Sequence, residues 1–284
     1  MRIFRAASLR AGAAVDTARA VAMLCVLGAA LMAVPHAAAR GLPGPEAVVQ
    51  SLGAPSQIKV FEPHLASADG QVEITYLGFP AVSVIELVLG DGWRSAGEAV
   101  EFRALDGYVS RVMPGRFDQY SAWLVYARAD RAPFTVDNPA QNETDVPLGP
   151  WYLAWDNIDN PDLIAEGARY WPYQVAEIST FEGFGDLLEP PGLDPRALKG
   201  GQLAREACIR CHRINGAGGD KFPVDLLDIV SAYDEQRWVR WLLEPSAVRP
   251  GTPMPPMMPR LEERERRQSA SEIFTYLNAM RALR

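Results

Sequence analysis

The chain has 284 residues, with 28 Lys and Arg against 35 Asp and Glu, a net charge of −7, three Cys and three His. An acidic balance of this kind disfavours a nucleic-acid partner. So few imidazoles and thiols also make a hydrolase built around several histidines, or a chain holding several metal groups, hard to assemble.

The chain begins as an export signal does. Arg2, Arg5, Arg10 and Arg19 make a basic start, an apolar run extends from Ala20 to Val34, and Ala37-Ala38-Ala39 supplies the small residues of a cleavage site. Residues 1–39 are therefore expected to be a signal peptide, with Arg40 opening a soluble periplasmic chain. As a helix, the run to Val34 would reach only ~22 Å of a ~30 Å hydrocarbon core, which favours cleavage over retention as a tilted anchor. No later stretch is apolar enough to span a membrane. Cleavage removes Cys25 and His36, so Cys208 and Cys211 become the only thiols, no disulfide is available, and His64 and His212 are the only imidazoles. His64, in Glu62-Pro-His-Leu65, could ligate a metal group or bind a metal with Glu62. A lone exposed loop histidine is the commoner situation and is the expectation here.

Residues 40–187 read as a β-rich α+β domain. Gln71–Tyr76 and Val100–Leu105 alternate apolar and polar residues, the latter before a turn at Asp106-Gly107, and Trp123–Ala127, Trp151–Trp155 and Tyr173–Ile178 are further strand candidates. Pro80–Leu89 is an apolar run of either helix or strand type. Asp156, Asp159 and Asp162 suggest a hard-cation site, but lack the Gly and closing Glu of a calcium loop, so a solvated turn is expected. The stretch 188–195, Leu-Glu-Pro-Pro-Gly-Leu-Asp-Pro, reads as a linker. Charge changes across it: residues 40–193 hold 9 basic and 22 acidic residues, residues 194–284 hold 15 and 12. That asymmetry suits docking of the two parts on each other or steering of a charged partner, with solubility alone as the plain alternative.

Beyond the linker, Gln202–Ala207 is helix-forming and runs into Cys208-Ile-Arg-Cys-His212. This CxxCH pattern is that of a c-type haem attachment site: two thiols three positions apart each add to a vinyl group of one porphyrin, and the adjacent His212 offers its imidazole to the iron. A redox dithiol does not need the following His, and a zinc site needs four ligands where the region offers no second Cys pair. Asn215–Gly219 is a flexible turn, and Trp238–Leu243 a packing helix that ends at Glu244-Pro245. Pro250-Gly-Thr-Pro-Met-Pro-Pro-Met-Met-Pro259 is a proline-stiffened loop bearing Met254, Met257 and Met258. Leu261–Leu283 carries Ile273, Phe274, Tyr276, Leu277 and Met280 on a helical stripe.

These motifs resemble a class I cytochrome c over residues 196–284. Gly200 stands eight positions before Cys208, where that family commonly has a Gly that lets the first and last helices cross closely, although an aromatic often found where Ala204 stands is missing. Phe222-Pro-Val-Asp-Leu226 is similar to the family's Gly-Pro-x-Leu segment, with Phe222 replacing Gly. Gly251-Thr-Pro-Met-Pro255 is similar to its Gly-Thr-x-Met-Pro loop. The resemblance implies an all-α cytochrome c domain, one covalent haem c on Cys208 and Cys211, His212 and Met254 as axial ligands, and the Pro223 carbonyl as acceptor for the His212 Nδ1–H. The segments Phe102–Tyr108, Leu148–Trp155 and Tyr173–Ile178 resemble, more weakly, the molybdopterin-binding fold of the sulfite oxidase type. Enzymes of that fold bind molybdenum through a Cys thiolate, and residues 40–207 contain no Cys. Arg94, Arg103 and Arg111 form no phosphate loop, so this part is expected to be a cofactor-free docking or structural module.

The expected function is that of a periplasmic electron carrier, not an enzyme, passing single electrons from a donor dehydrogenase to an acceptor oxidase or cytochrome. The alternatives are a dedicated electron-accepting subunit of a molybdenum or quinoprotein dehydrogenase, and a haem sensor or peroxidase-like protein.

Overall fold

Thirteen strands are present in the computed structural model, which describes residues 39–65 and 70–284. They are β1 (Arg40–Gly41), β2 (Ser56–Phe61), β3 (Glu73–Pro80), β4 (Ala99–Ala104), β5 (Val109–Val112), β6 (Ala122–Arg128), β7 (Thr135–Asn138), β8 (Glu143–Pro147), β9 (Tyr152–Trp155), β10 (Val175–Phe181), β11 (His212–Ile214), β12 (Ala217–Gly218) and β13 (Phe222–Asp225). The export signal expected over residues 1–39 lies outside the described residues, except for its last residue. Among the described residues no helix is long and apolar enough to cross a membrane.

Two four-stranded sheets, ordered β1-β10-β4-β5 and β2-β3-β6-β9, and the β7-β8 hairpin account for the first region. The pairing is antiparallel throughout these sheets. The ambiguous apolar run after Pro80 is a helix, α1 (Ala81–Leu89), with Ala81, Val84 and Ile85 buried at helical spacing and Gly90 (φ 84°) ending it. Its apolar face joins a core that includes Trp93, Trp151, Trp155, Tyr76 and Tyr152.

The second region has its own core, built on α2 (Leu198–Ala207), α3 (Glu235–Leu243) and α4 (Glu263–Ala282). The first and last of these cross at Gly200, where a Cβ would fall 2.8 Å from the Tyr276 Cβ. Asp234 caps α3, accepting from the Arg237 amide at 2.8 Å, and Trp238 is buried with its Nε1–H donating to the Ala270 carbonyl at 3.1 Å.

The expected fold class is corrected here on one point. Residues 196–284 are not all-α, because β11, β12 and β13 form a three-stranded sheet immediately after the CxxCH motif. The physical reason is the dipeptide Asn215-Gly216. Both residues have positive φ (52° and 78°), the geometry of a tight hairpin turn, which folds Ala217-Gly218 back on Arg213-Ile214. The strand β13 then pairs in parallel with β11, His212 standing opposite Phe222.

The described residues belong to one compact unit with two cores. The two cores are joined by backbone hydrogen bonds: Val109 N–H donates to the Arg210 carbonyl and Asp220 N–H to the Gly107 carbonyl, each at 2.8 Å. Gly107, at φ 86°, permits this approach, because a Cβ there would lie 2.7 Å from the Asp220 carbonyl carbon. Leu188, at the start of the expected linker, is buried and its carbonyl accepts from the Tyr276 hydroxyl at 2.8 Å.

Candidate functional site

Helix α2 ends where the CxxCH motif begins. The Cys208 amide still donates to Ala204, and the amides of Cys211 and His212 both turn back to the Cys208 carbonyl, at 3.1 and 3.0 Å. This tight turn brings both thiols and the imidazole to one side of the chain, lining a cavity of about 670 Å³. That volume lies within the range of sites for drug- and cofactor-sized ligands, ~300–1,000 Å³. The thiols are free of disulfide bonds. Burial pushes the Cys208 thiol up to about 12 and the Cys211 thiol up to about 11, so both are neutral. Burial also lowers His212 to about 4, which keeps its imidazole neutral and its lone pair available to a metal. The ring stacks on Phe222 with centroids 5.2 Å apart.

Met254, Met257 and Met258 line the same cavity. Their loop is held at several points. The Met257 amide donates to Leu242 at 2.9 Å, Arg266 donates to the carbonyls of Met257 and Leu243 at 2.9 Å each, and Asn142 of the first region donates to the Thr252 carbonyl at 2.6 Å. Met257 is buried, whereas Met254 and Met258 are half-buried. Cys208, Cys211, His212 and Met254 thus come together on one cavity. The Pro223 carbonyl accepts from the Arg213 guanidinium.

The opposite wall belongs to the first region, and sequence reasoning missed it. His64, expected as an exposed loop residue, lines the cavity with its side chain only 7% exposed. Its Nδ1 lies 2.7 Å from Oε1 of Glu62, a fully buried carboxylate. Glu62 also accepts from the Tyr76 hydroxyl at 2.7 Å, the Tyr152 hydroxyl at 2.9 Å and the His64 amide at 3.1 Å. Burial alone would raise its pKa, but the hydrogen bonds and charge of His64, with the Tyr76 hydroxyl, hold it below the usual carboxylate value. The partial signal was the Glu-x-His spacing, with Tyr76 at an inward position of the alternating strand β3.

Lys221 lies beside this wall. Its ammonium is 2.9 Å from Gln141 Oε1, 3.0 Å from Asp106 Oδ2 and 3.4 Å from Glu143 Oε1, so residues of both regions meet at one half-buried cation. Burial works against its charge, but Asp106 and the neighbouring oxygens raise its pKa. Arg94, Arg103 and Arg111 do not converge on an anion site, since each pairs with a carboxylate: Arg94 with Asp118 at 2.9 Å, Arg103 and Arg111 with Glu101 at 2.9 and 2.6 Å. Asp159 and Asp162 are exposed, and among the described residues no three His, Cys, Asp or Glu side chains are grouped as a metal ion would require.

The donor set therefore suits a group that brings its own equatorial ligands: two thiols, one neutral imidazole and a thioether around an amphipathic cavity. Comparisons with protein-family models, with curated proteins and with solved structures find no match to this chain.

Proposed function

We propose that this chain is a periplasmic monohaem c-type electron-transfer protein. The observation that carries the reading is the convergence of Cys208, Cys211, His212 and Met254 on one cavity. A haem bound there supplies one-electron chemistry at its iron. The chain's own residues do the rest. Cys208 and Cys211 would tether the group through their sulfurs, and His212 would offer it a neutral nitrogen. Met254 would offer a soft sulfur, which favours the reduced metal. The proline-flanked loop keeps that sulfur in place, with Thr252 pinned to Asn142. Exclusion of water by both walls lowers the reorganisation that accompanies each electron transfer. The partners this implies are a donor dehydrogenase and an acceptor oxidase or cytochrome, met through the differently charged faces of the two regions.

The optical spectrum of the purified holoprotein, with and without carbon monoxide, tests this for wild type beside Met254→Ala. The expected wild type shows covalent haem and the weak near-infrared sulfur-to-iron band and ignores carbon monoxide, while the variant loses the band and binds the gas. Wild-type protein that already binds carbon monoxide would rule out the carrier in favour of sensing or catalysis at iron.

A further inference from the structure

The cavity wall contributed by the first region is more than a cover. Its polar centre is His64, and the structure behind that ring is costly to build. A fully buried carboxylate loses several kcal/mol of hydration unless its lone pairs are satisfied. Glu62 is satisfied by Tyr76 from β3, Tyr152 from β9, and the amide and Nδ1 of His64. Tyr173 adds a second restraint, its ring meeting that of His64 edge-on with centroids 5.6 Å apart. With Nδ1 committed to Glu62, Nε2 is the nitrogen that a cavity occupant would meet. An imidazole oriented through one nitrogen by a carboxylate is how proteins present the other nitrogen to a metal or cofactor.

Any porphyrin tethered to Cys208 and Cys211 shares its cavity with this ring. We infer that His64 is a haem-contact residue supplied by the first region, and that the Glu62–His64 pair sets the electrostatic field at that edge of the macrocycle and so tunes the iron's reduction potential. The first region is then half of the cofactor pocket, a role beyond choosing a partner. This inference rests on the haem reading above.

The test compares holoproteins of wild type, His64→Phe, which fills the space without a nitrogen, and Glu62→Gln, which keeps the shape of the buried side chain. Lys59→Gln, which breaks an exposed pair with Glu73, serves as the charge control. The readouts are covalent haem content, the near-infrared sulfur-to-iron band and the midpoint potential. The expected result is full haem content and an intact band in all four proteins. The potential shifts in His64→Phe and Glu62→Gln and stays at the wild-type value in Lys59→Gln. Haem-loaded His64→Phe and Glu62→Gln proteins with wild-type potentials would overturn the inference. So would potentials that move only together with loss of the band, since His64 would then act on axial ligation. A wild-type protein without covalent haem overturns the haem reading itself, and with it this inference, and so is told apart from the other failures.

Discussion

The core of residues 48–178 is filled by its own large side chains: Trp93, Trp151, Trp155, Tyr76, Tyr152 and Phe102 are all at most 2% exposed and pack mainly as tilted and edge-to-face pairs. The core of residues 188–280 contains fewer such side chains. Small residues such as Ala197, Ala204, Ala270 and Gly200 bring its helices close, and Cys208, Met257 and Leu242 turn toward a cavity. The core of the first region is filled by its own side chains, whereas that of the second opens on the cavity the two regions share. The difference teaches that the two should depend differently on a bound group, although one backbone joint connects them.

The strongest way to break this comparison is in the first core. Trp155 is fully buried and donates from Nε1 to the Tyr170 carbonyl at 2.7 Å. Trp155→Ala is expected to cost about 3–5 kcal/mol, measured by urea denaturation, and by the same amount with or without haem. A much larger loss in the haem-free protein would show that the first core also depends on the cavity's contents.

The second region is sharpened by acid. His212 is held at about 4 against an ordinary 6.5, so the unfolded chain binds its proton first. Haem-free protein should therefore keep its full stability above about pH 6.5 and lose about 1.4 kcal/mol per pH unit between there and about pH 4. His212→Phe should flatten this limb in denaturation curves, and haem attachment should remove it. An unchanged limb in the variant would place the acid sensitivity elsewhere.

The joint between the regions is expected to respond least. Gly107→Ala puts a Cβ at φ 86° beside the Asp220 backbone, at a cost of about 1–3 kcal/mol. Hydrogen exchange at Val109 and Asp220, whose amides cross the joint, should speed up before exchange in either core. Equal acceleration throughout would mean that the two cores unfold as one.

Alternation made β3 and β4 legible, and short runs bearing aromatic residues marked β6, β9 and β10, although their limits moved by up to several residues. The β7-β8 hairpin was not legible, because Thr-Val-Asp-Asn and Glu-Thr-Asp-Val-Pro carry little apolar signal and are held by partners elsewhere, such as Tyr173 on Asn138 and Glu143. The β11–β13 sheet was missed for another reason: Asn215-Gly216 was read as flexibility, although this pair at positive φ is a specific hairpin signal. For the site, the CxxCH motif and the methionine loop were visible as local patterns.

By itself, the sequence determined the chemistry of the cavity's second wall, because thiols three positions apart and an adjacent imidazole are covalently bound to arrive together. It also marked β3, because burial on one face writes a period of two into the chain. Only the tertiary structure decided that His64 would leave the surface and line the same cavity. Its partners Glu62, Tyr76 and Tyr152 come from segments as far as 90 residues apart, and no local pattern can encode a buried carboxylate whose cost is offset by hydroxyls that only folding brings within reach.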